Sequence, residues 1–182
     1  MNGPIEITID RSEIEKFAGL GKGVASAVFR GGSRALRTMR TASTRSIRMR
    51  KRIKLRVVND SLVLTFPKTK ELDSMLWRMD VKGTRMPVKE FQPRQTRAGV
   101  SVMINQGQRK VIPGAFIATM KSGHEGVYRR VGGVKRLPIR ELYTTRVADL
   151  FADAGMIPAV VAQTLRAFNS EFDRVLAMEL KK

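Results

Sequence analysis

The chain has 182 residues, with 35 Lys or Arg against 16 Asp or Glu and a formal net charge of +19. This length fits one domain with a core of moderate size, and 42% apolar residues exclude general disorder. The absence of cysteine excludes a disulfide scaffold, a cysteine-type zinc finger and a thiol nucleophile. No apolar run reaches the roughly 18–20 residues that cross a bilayer, and residues 1–6 lack the order of a signal peptide, so we expect no membrane partner.

Positive charge is concentrated in the first third and the middle of the chain. Between Glu15 and Asp60 there is no acidic residue, and the interval holds 13 Lys or Arg. Such a segment attracts polyanions by counterion release without reading a sequence; the polyanion is a nucleic acid, an anionic membrane surface or an acidic protein. A solvated basic face is the alternative. Phe17 and Phe29 are the only aromatic residues of the interval, so a nucleic acid would be held by its phosphates and not by base stacking.

The N-terminal region predicts a short strand and then a long basic helix. Residues 5–9 alternate β-branched and polar residues, as in a strand. Ser12 and Glu15 form a capping-box pattern, and apolar or small residues then recur at three and four positions, which favours one helix over about residues 12–44. Gly31-Gly32 predicts a kink in this helix or a break between two helices.

The segment 46–66 allows two interpretations. Apolar residues between Ile47 and Val57 alternate with basic ones, which favours a strand with one cationic face, an Asn59-Asp60 turn and a second strand over 62–66. A helix through Arg56 is the alternative, because Arg, Lys and Met are good helix formers.

The middle of the chain predicts a β-rich region. Two strands joined by the turn Lys82-Gly83-Thr84 are expected first, followed by a loop over 92–99. The expected strands cover residues 76–81, 86–91, 100–104, 109–113 and 127–131.

The last third predicts two helices and completes the fold class. One helix is expected over about residues 142–154, and another begins at Pro158, because proline is favoured at a first helical position. We therefore predict an α+β fold in which a long N-terminal helix packs on a twisted, mainly antiparallel sheet with two C-terminal helices. A single domain over 1–182 is expected, with a strand and basic helical region (1–56), a β-rich region (57–140) and C-terminal helices (141–182).

No pattern in the sequence indicates catalysis, a metal or a cofactor. His124 is the only histidine and lies in a glycine-flanked turn with Glu125, whereas a zinc site generally needs at least three protein ligands. The glycine-rich run 19–23 lacks the spacing of a phosphate-binding loop and does not follow a strand. We therefore expect no catalytic, cofactor-binding or metal-binding residues and no enzymatic activity.

One segment goes beyond general patterns. Residues 111–123 read Val-Ile-Pro-Gly-Ala-Phe-Ile-Ala-Thr-Met-Lys-Ser-Gly, and they are followed by Val127-Tyr128-Arg129-Arg130 and by Pro138-Ile139. This sequence resembles the minor tail protein Z family of long-tailed phages and prophages. The motif residues are Ile112, Pro113, Gly114, Ala115, Phe116, Ile117 and Pro138, which would form a corner of the core or contact a neighbouring subunit.

The resemblance implies a structural virion protein, a tail completion protein at the head–tail junction, assembled in the host cytoplasm. It implies a homo-oligomeric ring, with six copies as the expected number, between the tail terminator or tail tube protein and the head connector or neck proteins. The end of the genomic double-stranded DNA would pass through or rest in that ring.

Within such a ring, we expect a set of cations to face DNA phosphates. These residues are Arg34, Arg37, Arg40, Arg45, Arg48, Arg50, Lys51, Arg52, Lys54 and Arg56. The alternative, suggested by charge alone, is a non-specific nucleic-acid-binding protein that acts outside a virion.

Overall fold

A computed structural model describes residues 5–7, 21–132, 137–151 and 155–181, and it confirms the α+β fold, with a long N-terminal helix, antiparallel sheets and two C-terminal helices. The helices of these residues are α1 (Gly21–Arg50), α2 (Leu55–Ser61), α3 (Val147–Phe151) and α4 (Ile157–Glu179). The strands are β1 (Ile5–Ile7), β2 (Leu62–Thr65), β3 (Trp77–Val81), β4 (Arg85–Pro87), β5 (Arg94–Thr96), β6 (Gly99–Val102), β7 (Lys110–Pro113), β8 (Ala115–Thr119), β9 (Glu125–Arg130), β10 (Ile139–Glu141) and β11 (Tyr143–Arg146).

The chain divides into two compact units, and each unit combines separated stretches of sequence. Unit 1 comprises Met1–Ser43, Leu62–Val81 and Phe151–Lys182, and unit 2 comprises Thr44–Ser61 and Lys82–Leu150. Helix α1 passes from unit 1 into unit 2 after Ser43. The three consecutive regions expected from the sequence do not coincide with these units, because segments distant along the chain pack together in each of them.

Unit 1 is built on the apolar face of α1. Its buried residues there recur three and four positions apart, the spacing of one helical face, and include Val24, Ala27, Val28, Ala35, Leu36 and Met39. The sheet of this unit has the order β1–β3–β2 and is antiparallel, so the central strand β3 is paired on both sides. Trp77 and Met79 of β3 are buried, as are Val160 and Val175 of α4.

Gly31 and Gly32 do not interrupt α1, which runs through both residues. Their role is close packing. A Cβ atom at position 32 would collide with the indole ring of Trp77, and one at position 31 would lie 3.1 Å from the Phe168 ring. The indole is 1% exposed and donates a hydrogen bond from Nε1 to Ser33 Oγ at 3.2 Å. The glycine pair therefore marks where bulky side chains approach the helix, and not where the helix breaks.

Unit 2 contains three small antiparallel sheets around one valine-rich cluster. Their strand orders are β5–β6–β7, β10–β9–β8 and β11–β4. The buried cluster consists of Val88, Val100, Val102, Ala115 and Val127. Gly114, with φ of 68°, carries the chain from the first of these sheets to the second. A positive φ costs glycine little, which explains a glycine between two consecutive strands.

The strand predicted between Ile47 and Val57 is wrong. Helix α1 continues to Arg50, and a short connection leads to α2, so the helical alternative is nearer to the structure. Asn59-Asp60 lies within α2 and is not a hairpin turn. The alternation had another cause. Ile47 is buried from the last turns of α1 and Ile53 from the connection, whereas Met49 between them is 71% exposed.

Four of the five strands expected in the β-rich region are confirmed. The strand expected over 86–91 ends at Pro87, because Val88–Glu90 forms a turn of 3₁₀ helix. The pairing also differs from the expectation. The strands on either side of Lys82-Gly83-Thr84 do not pair with each other: β3 pairs with β1 and β2, and β4 pairs with β11. The expected loop over 92–99 contains strand β5. The expected helix over 142–154 begins later, because residues 143–146 form strand β11, and α3 follows. The second helix begins at Ile157, with proline in its first turn.

Some predictions fall outside the described residues. The capping box at Ser12 and Glu15, the start of the long helix and the end of the first strand at 8–9 belong to residues 8–20. The last residues of the helix expected to end at Ala154 belong to 152–154.

The packing of Trp77 predicts the effect of a methyl group at position 32. Gly32→Ala should lower the free energy of unfolding by about 1–3 kcal/mol, because overpacking against a buried ring outweighs a gain of about 1 kcal/mol in helix propensity. Chemical denaturation measures the change. Gly83→Ala is the control, since a Cβ atom at position 83 would meet no other atom within 4 Å, and it should stay within about 0.5 kcal/mol. An unchanged or higher stability of Gly32→Ala would contradict the packing role.

Candidate nucleic-acid interface

The cations expected to face DNA fall in both units. Arg34, Arg37 and Arg40 lie in unit 1, and the other seven lie in unit 2. We name those seven the basic segment: Arg45, Arg48, Arg50, Lys51, Arg52, Lys54 and Arg56. Six of them are exposed and Lys51 is half-buried. The structure therefore brings seven cations of one short stretch to the surface of unit 2.

Backbone contacts hold the basic segment against the loop between β6 and β7. The amide of Arg52 donates to the carbonyl of Ile104 at 3.1 Å, and the amide of Gln106 donates to the carbonyl of Arg50 at 3.0 Å. Lys51 Nζ donates to Asn105 Oδ1 at 2.6 Å. Because Ile47 and Ile53 are also buried, the polypeptide that carries these cations is anchored on both sides of the helix end.

Four cations of the basic segment surround a small cavity. Arg48, Lys51, Arg52 and Lys54 line a cavity of about 200 Å³, together with Ile53, Glu90 and Gln92. Glu90 supplies the one carboxylate of this cavity, and its Oε2 lies 3.0 Å from Lys54 Nζ. Guanidinium and ammonium groups in this arrangement can bind oxyanions such as phosphate, because Arg offers several N–H donors and Lys a mobile point charge.

Few acidic groups neutralise the basic segment. Arg56 pairs with Asp60 at 3.4 Å, and Arg48 Nε donates to the carbonyl of Ile53 at 3.4 Å. Within the ranges that the structure describes, the guanidinium groups of Arg45 and Arg52 make neither a hydrogen bond nor an ion pair. Their charges are thus available to an external anion.

The unit 1 arginines have different surroundings. The guanidinium of Arg37 lies 5.2 Å from the centre of the Phe66 ring, and Arg40 also has an interaction partner. The hydrogen bond from Arg174 lowers the pKa of the Glu171 carboxyl, and Arg34 lowers this pKa further through its charge. Arg34, Arg37 and Arg40 therefore take part in contacts within unit 1. Of the predicted DNA-facing cations, those of the basic segment are the ones that lie close together.

The net charge is divided very unequally between the two units. Unit 2 contains 21 Lys or Arg and 5 Asp or Glu, a net charge of +16. Unit 1 contains the remaining 14 Lys or Arg and 11 Asp or Glu, a net charge of +3. Most of the positive charge of the chain therefore lies in unit 2.

The family-like motif lies at the junction of two sheets in unit 2. Ile112 and Pro113 end β7, Gly114 makes the turn, and Ala115, Phe116 and Ile117 begin β8. Ala115 belongs to the buried cluster, and Ile112 and Ile117 pack against it. Pro138 is exposed, and its carbonyl accepts from the Val131 amide at 2.9 Å. Of the motif residues Ala115 is buried, whereas Pro113 and Gly114 are exposed, so the core corner and the subunit contact both remain predictions.

A second group of arginines was not predicted as a site from the sequence. Arg97, Arg129 and Arg130 line a groove of about 900 Å³ together with Pro113, Gly114, Ala115 and Phe116. We name it the arginine groove. Arg97 lies more than 30 residues before the other two, so only the folded arrangement brings them together. The tandem Arg129-Arg130 was the local signal that could have drawn attention to this site.

His124 lies near a carboxylate with which no sequence pattern connects it. Its Nε2 is 3.1 Å from Glu141 Oε1, and Tyr143 Oη donates to Glu141 Oε2 at 2.8 Å. That hydrogen bond, together with burial and the carboxylate charge, raises the pKa of Tyr143. Within the described part of the chain, no group of three or more His, Asp or Glu side chains is placed to hold a metal ion.

Comparison with family models, curated proteins and solved structures finds no significant match. The resemblance carried by residues 111–139 therefore remains a prediction. No helix in the described ranges is long and apolar enough to span a membrane.

Proposed function

We propose that this chain is a structural protein of a long-tailed phage or prophage tail. In this proposal it completes the tail at its head-proximal end, forms a homo-oligomeric ring of six copies and joins the tail to the head connector. The basic segment faces the end of the genomic DNA and binds its phosphates. In this role the protein catalyses no reaction. It binds the end of the genomic DNA and holds the tail to the head connector.

The observation that carries the DNA contact is the exposed, anchored basic segment. Its helix end is fixed by backbone hydrogen bonds to the β6–β7 loop, so the cations are presented from a firm support. Phosphates would displace condensed counterions as they bind, which gives affinity without sequence preference. A tail protein that meets any genome end needs this kind of contact.

The tail assignment is supported by the motif of residues 111–117 and by the α+β fold with a long N-terminal helix and two C-terminal helices. The motif lies at a sheet junction beside exposed arginines, where a neighbouring subunit or DNA could reach it.

Six copies of the chain would gather six basic segments around a channel. Double-stranded DNA carries about one negative charge per 1.7 Å of its axis, so a ring of cations lowers the cost of holding the genome in a narrow passage. Acidic surfaces of neighbouring rings would compete for the same segments.

The location of the chain in assembled particles tests the tail assignment. Electron microscopy of particles that carry a small tag on this chain should show the label at the head–tail junction, in a ring. Label elsewhere on the particle, or no label on particles, would contradict the proposal. In the second case, a monomer or dimer that binds DNA with steep salt dependence would favour the alternative of a nucleic-acid-binding protein outside a virion.

Neutralising the basic segment should weaken DNA binding. Arg45→Gln, Arg48→Gln and Arg52→Gln together should reduce affinity for a short duplex by about tenfold or more and reduce the salt slope by about 2–3, as expected for three lost phosphate contacts. Fluorescence anisotropy over a range of salt concentrations measures both quantities.

The matched control removes three exposed lysines of the same unit that lie outside the basic segment and the arginine groove. These are Lys82, Lys110 and Lys121, replaced by Gln. An equal loss of affinity in the control would show that only the overall charge matters, and the basic segment would then not be a site.

Glu90→Gln should have the opposite effect on the same measurement. Its carboxylate faces the cavity and pairs with Lys54, so its removal frees that ammonium group and eliminates a repulsive charge. Duplex affinity should rise about twofold to fivefold at low salt, in line with the small energy of a partly exposed pair. A decrease in affinity, with the fold intact by circular dichroism, would place the DNA away from this cavity.

A further inference from the structure

The arginine groove lies where three chain reversals of unit 2 meet. Arg97 belongs to the turn between β5 and β6, Gly114 to the turn between β7 and β8, and Gly132 to the turn after β9. The described residues that line the groove include no Asp or Glu. A concave surface lined by three arginine residues and by no acidic residue has a positive potential and attracts an anion.

Arg129 is held in an unfavourable position. It lies directly opposite Arg140 in the antiparallel pairing of β9 with β10, and both side chains are exposed. Like charges directly opposite each other destabilise a sheet. Neither arginine forms an ion pair with a residue in the described ranges. An anion bound beside Arg129 would remove this repulsion.

An aromatic ring lies on the same face of the β8–β9 pair as Arg130, whereas Arg129, the preceding residue of β9, belongs to the other face. Phe116 lines the groove and is half-buried, and the Arg130 guanidinium lies 6.0 Å from its ring centre. The Tyr128 ring packs at 6.3 Å from the same centre. A half-exposed ring beside a guanidinium group is the combination on which single-stranded nucleic acids stack, and this combination is missing from the basic segment.

The groove and the basic segment lie at opposite ends of the β6–β7 hairpin. Arg97 precedes β6, whereas Lys51 bridges to Asn105 in the loop that follows it. Strand β6 has four residues, which span about 10–13 Å at about 3.3 Å per residue. The two arginine sites are thus distinct places on one unit.

We propose that the arginine groove binds a single-stranded segment of nucleic acid. Its phosphates pair with Arg97, Arg129 and Arg130, and one base stacks on Phe116. Three arginines that bind phosphates without base hydrogen bonds give little sequence preference, and the groove of about 900 Å³ has room for a few nucleotides. This proposal does not depend on a role in a virion.

The test uses the purified full chain and a labelled single strand of about 12 nucleotides. Replacing Arg97, Arg129 and Arg130 by Gln should lower the affinity for this strand by tenfold or more and the salt slope by about 2. The control triple at Lys82, Lys110 and Lys121 should change affinity less than about threefold. Equal losses in both triples would overturn the proposal, as would displacement of the strand by an acidic peptide of equal charge.

The basic-segment triple separates this site from the DNA contact of the proposed function. It should weaken duplex binding more than single-strand binding, and the groove triple should do the reverse. If both triples weaken the duplex equally and spare the single strand, the groove is not a single-strand site, and the basic segment is unaffected by that result.

Phe116→Leu tests the stacked base without changing the charge. It should weaken single-strand binding about fivefold and change duplex binding less than twofold, because bases within a duplex cannot reach the ring. If Phe116→Leu binds the single strand with unchanged affinity, no base stacks on Phe116 and the proposal is contradicted.

Arg129→Gln provides a readout that a structural role would not give. Removing one of two opposed arginines should raise the midpoint of thermal unfolding by about 1–3 °C and weaken single-strand binding severalfold. Lys121→Gln, an exposed lysine in the turn before β9, should change neither. A lower midpoint for Arg129→Gln would show that this arginine supports the fold, and the anion site would be excluded.

Discussion

Repulsion between like charges is the constraint under which unit 2 folds. The unit carries +16 of the total charge of +19, and its main buried cluster consists of four valines and one alanine. A large net charge opposes compaction, so the apolar burial of the cluster and the sheet hydrogen bonds must outweigh that repulsion. The unit does this by keeping its cations outside, on strand ends, turns and the end of α1.

Four of the five acidic residues of unit 2 are used in local contacts. Asp60 pairs with Arg56, Glu90 with Lys54, and Glu141 binds His124 and Tyr143. Asp149 accepts a hydrogen bond from the amide of Arg146 at 3.0 Å, near the start of α3. Most cations are therefore left to the solvent and to an external polyanion. Binding of a polyanion to the folded unit would stabilise it by mass action and by relief of repulsion.

The sequence predicted the parts of the fold that depend on local patterns. The long helix and the helix from Ile157 follow from apolar residues at three and four positions, and most strands follow from short β-branched runs. Gly31-Gly32 could not be interpreted locally, because the two glycines make room for the rings of Phe168 and Trp77, which lie more than 40 residues away in the sequence. The pairing of β3 with β1 and β2, and not with β4, is also a tertiary choice.

The strand predicted between Ile47 and Val57 was wrong because buried residues from two different structures are spaced like residues on one face of a strand. Ile47 faces the core from a helix and Ile53 from an irregular connection, and their spacing happens to be even, as in a strand. In a highly basic stretch most residues are polar, so very few apolar positions decide the period. The few apolar residues between Ile47 and Val57 were insufficient to distinguish a strand from a helix with a break, whereas helix propensity pointed in the right direction.

The same distinction between local and tertiary signals separates the two arginine sites. The cations of the basic segment are neighbours along the chain, so counting charges in the sequence is sufficient to find them. The arginine groove depends on the register of β9 with β10 and on the turn that carries Arg97, neither of which sequence spacing determines. The most informative feature of the groove is an unfavourable contact between like charges. The Arg129–Arg140 pair weakens the sheet that contains it, and local consistency is commonly broken in folded proteins where a residue serves binding. A fold selected for stability alone would place a carboxylate or a neutral residue at one of those positions, which is the physical reason to regard Arg129 as part of an anion site.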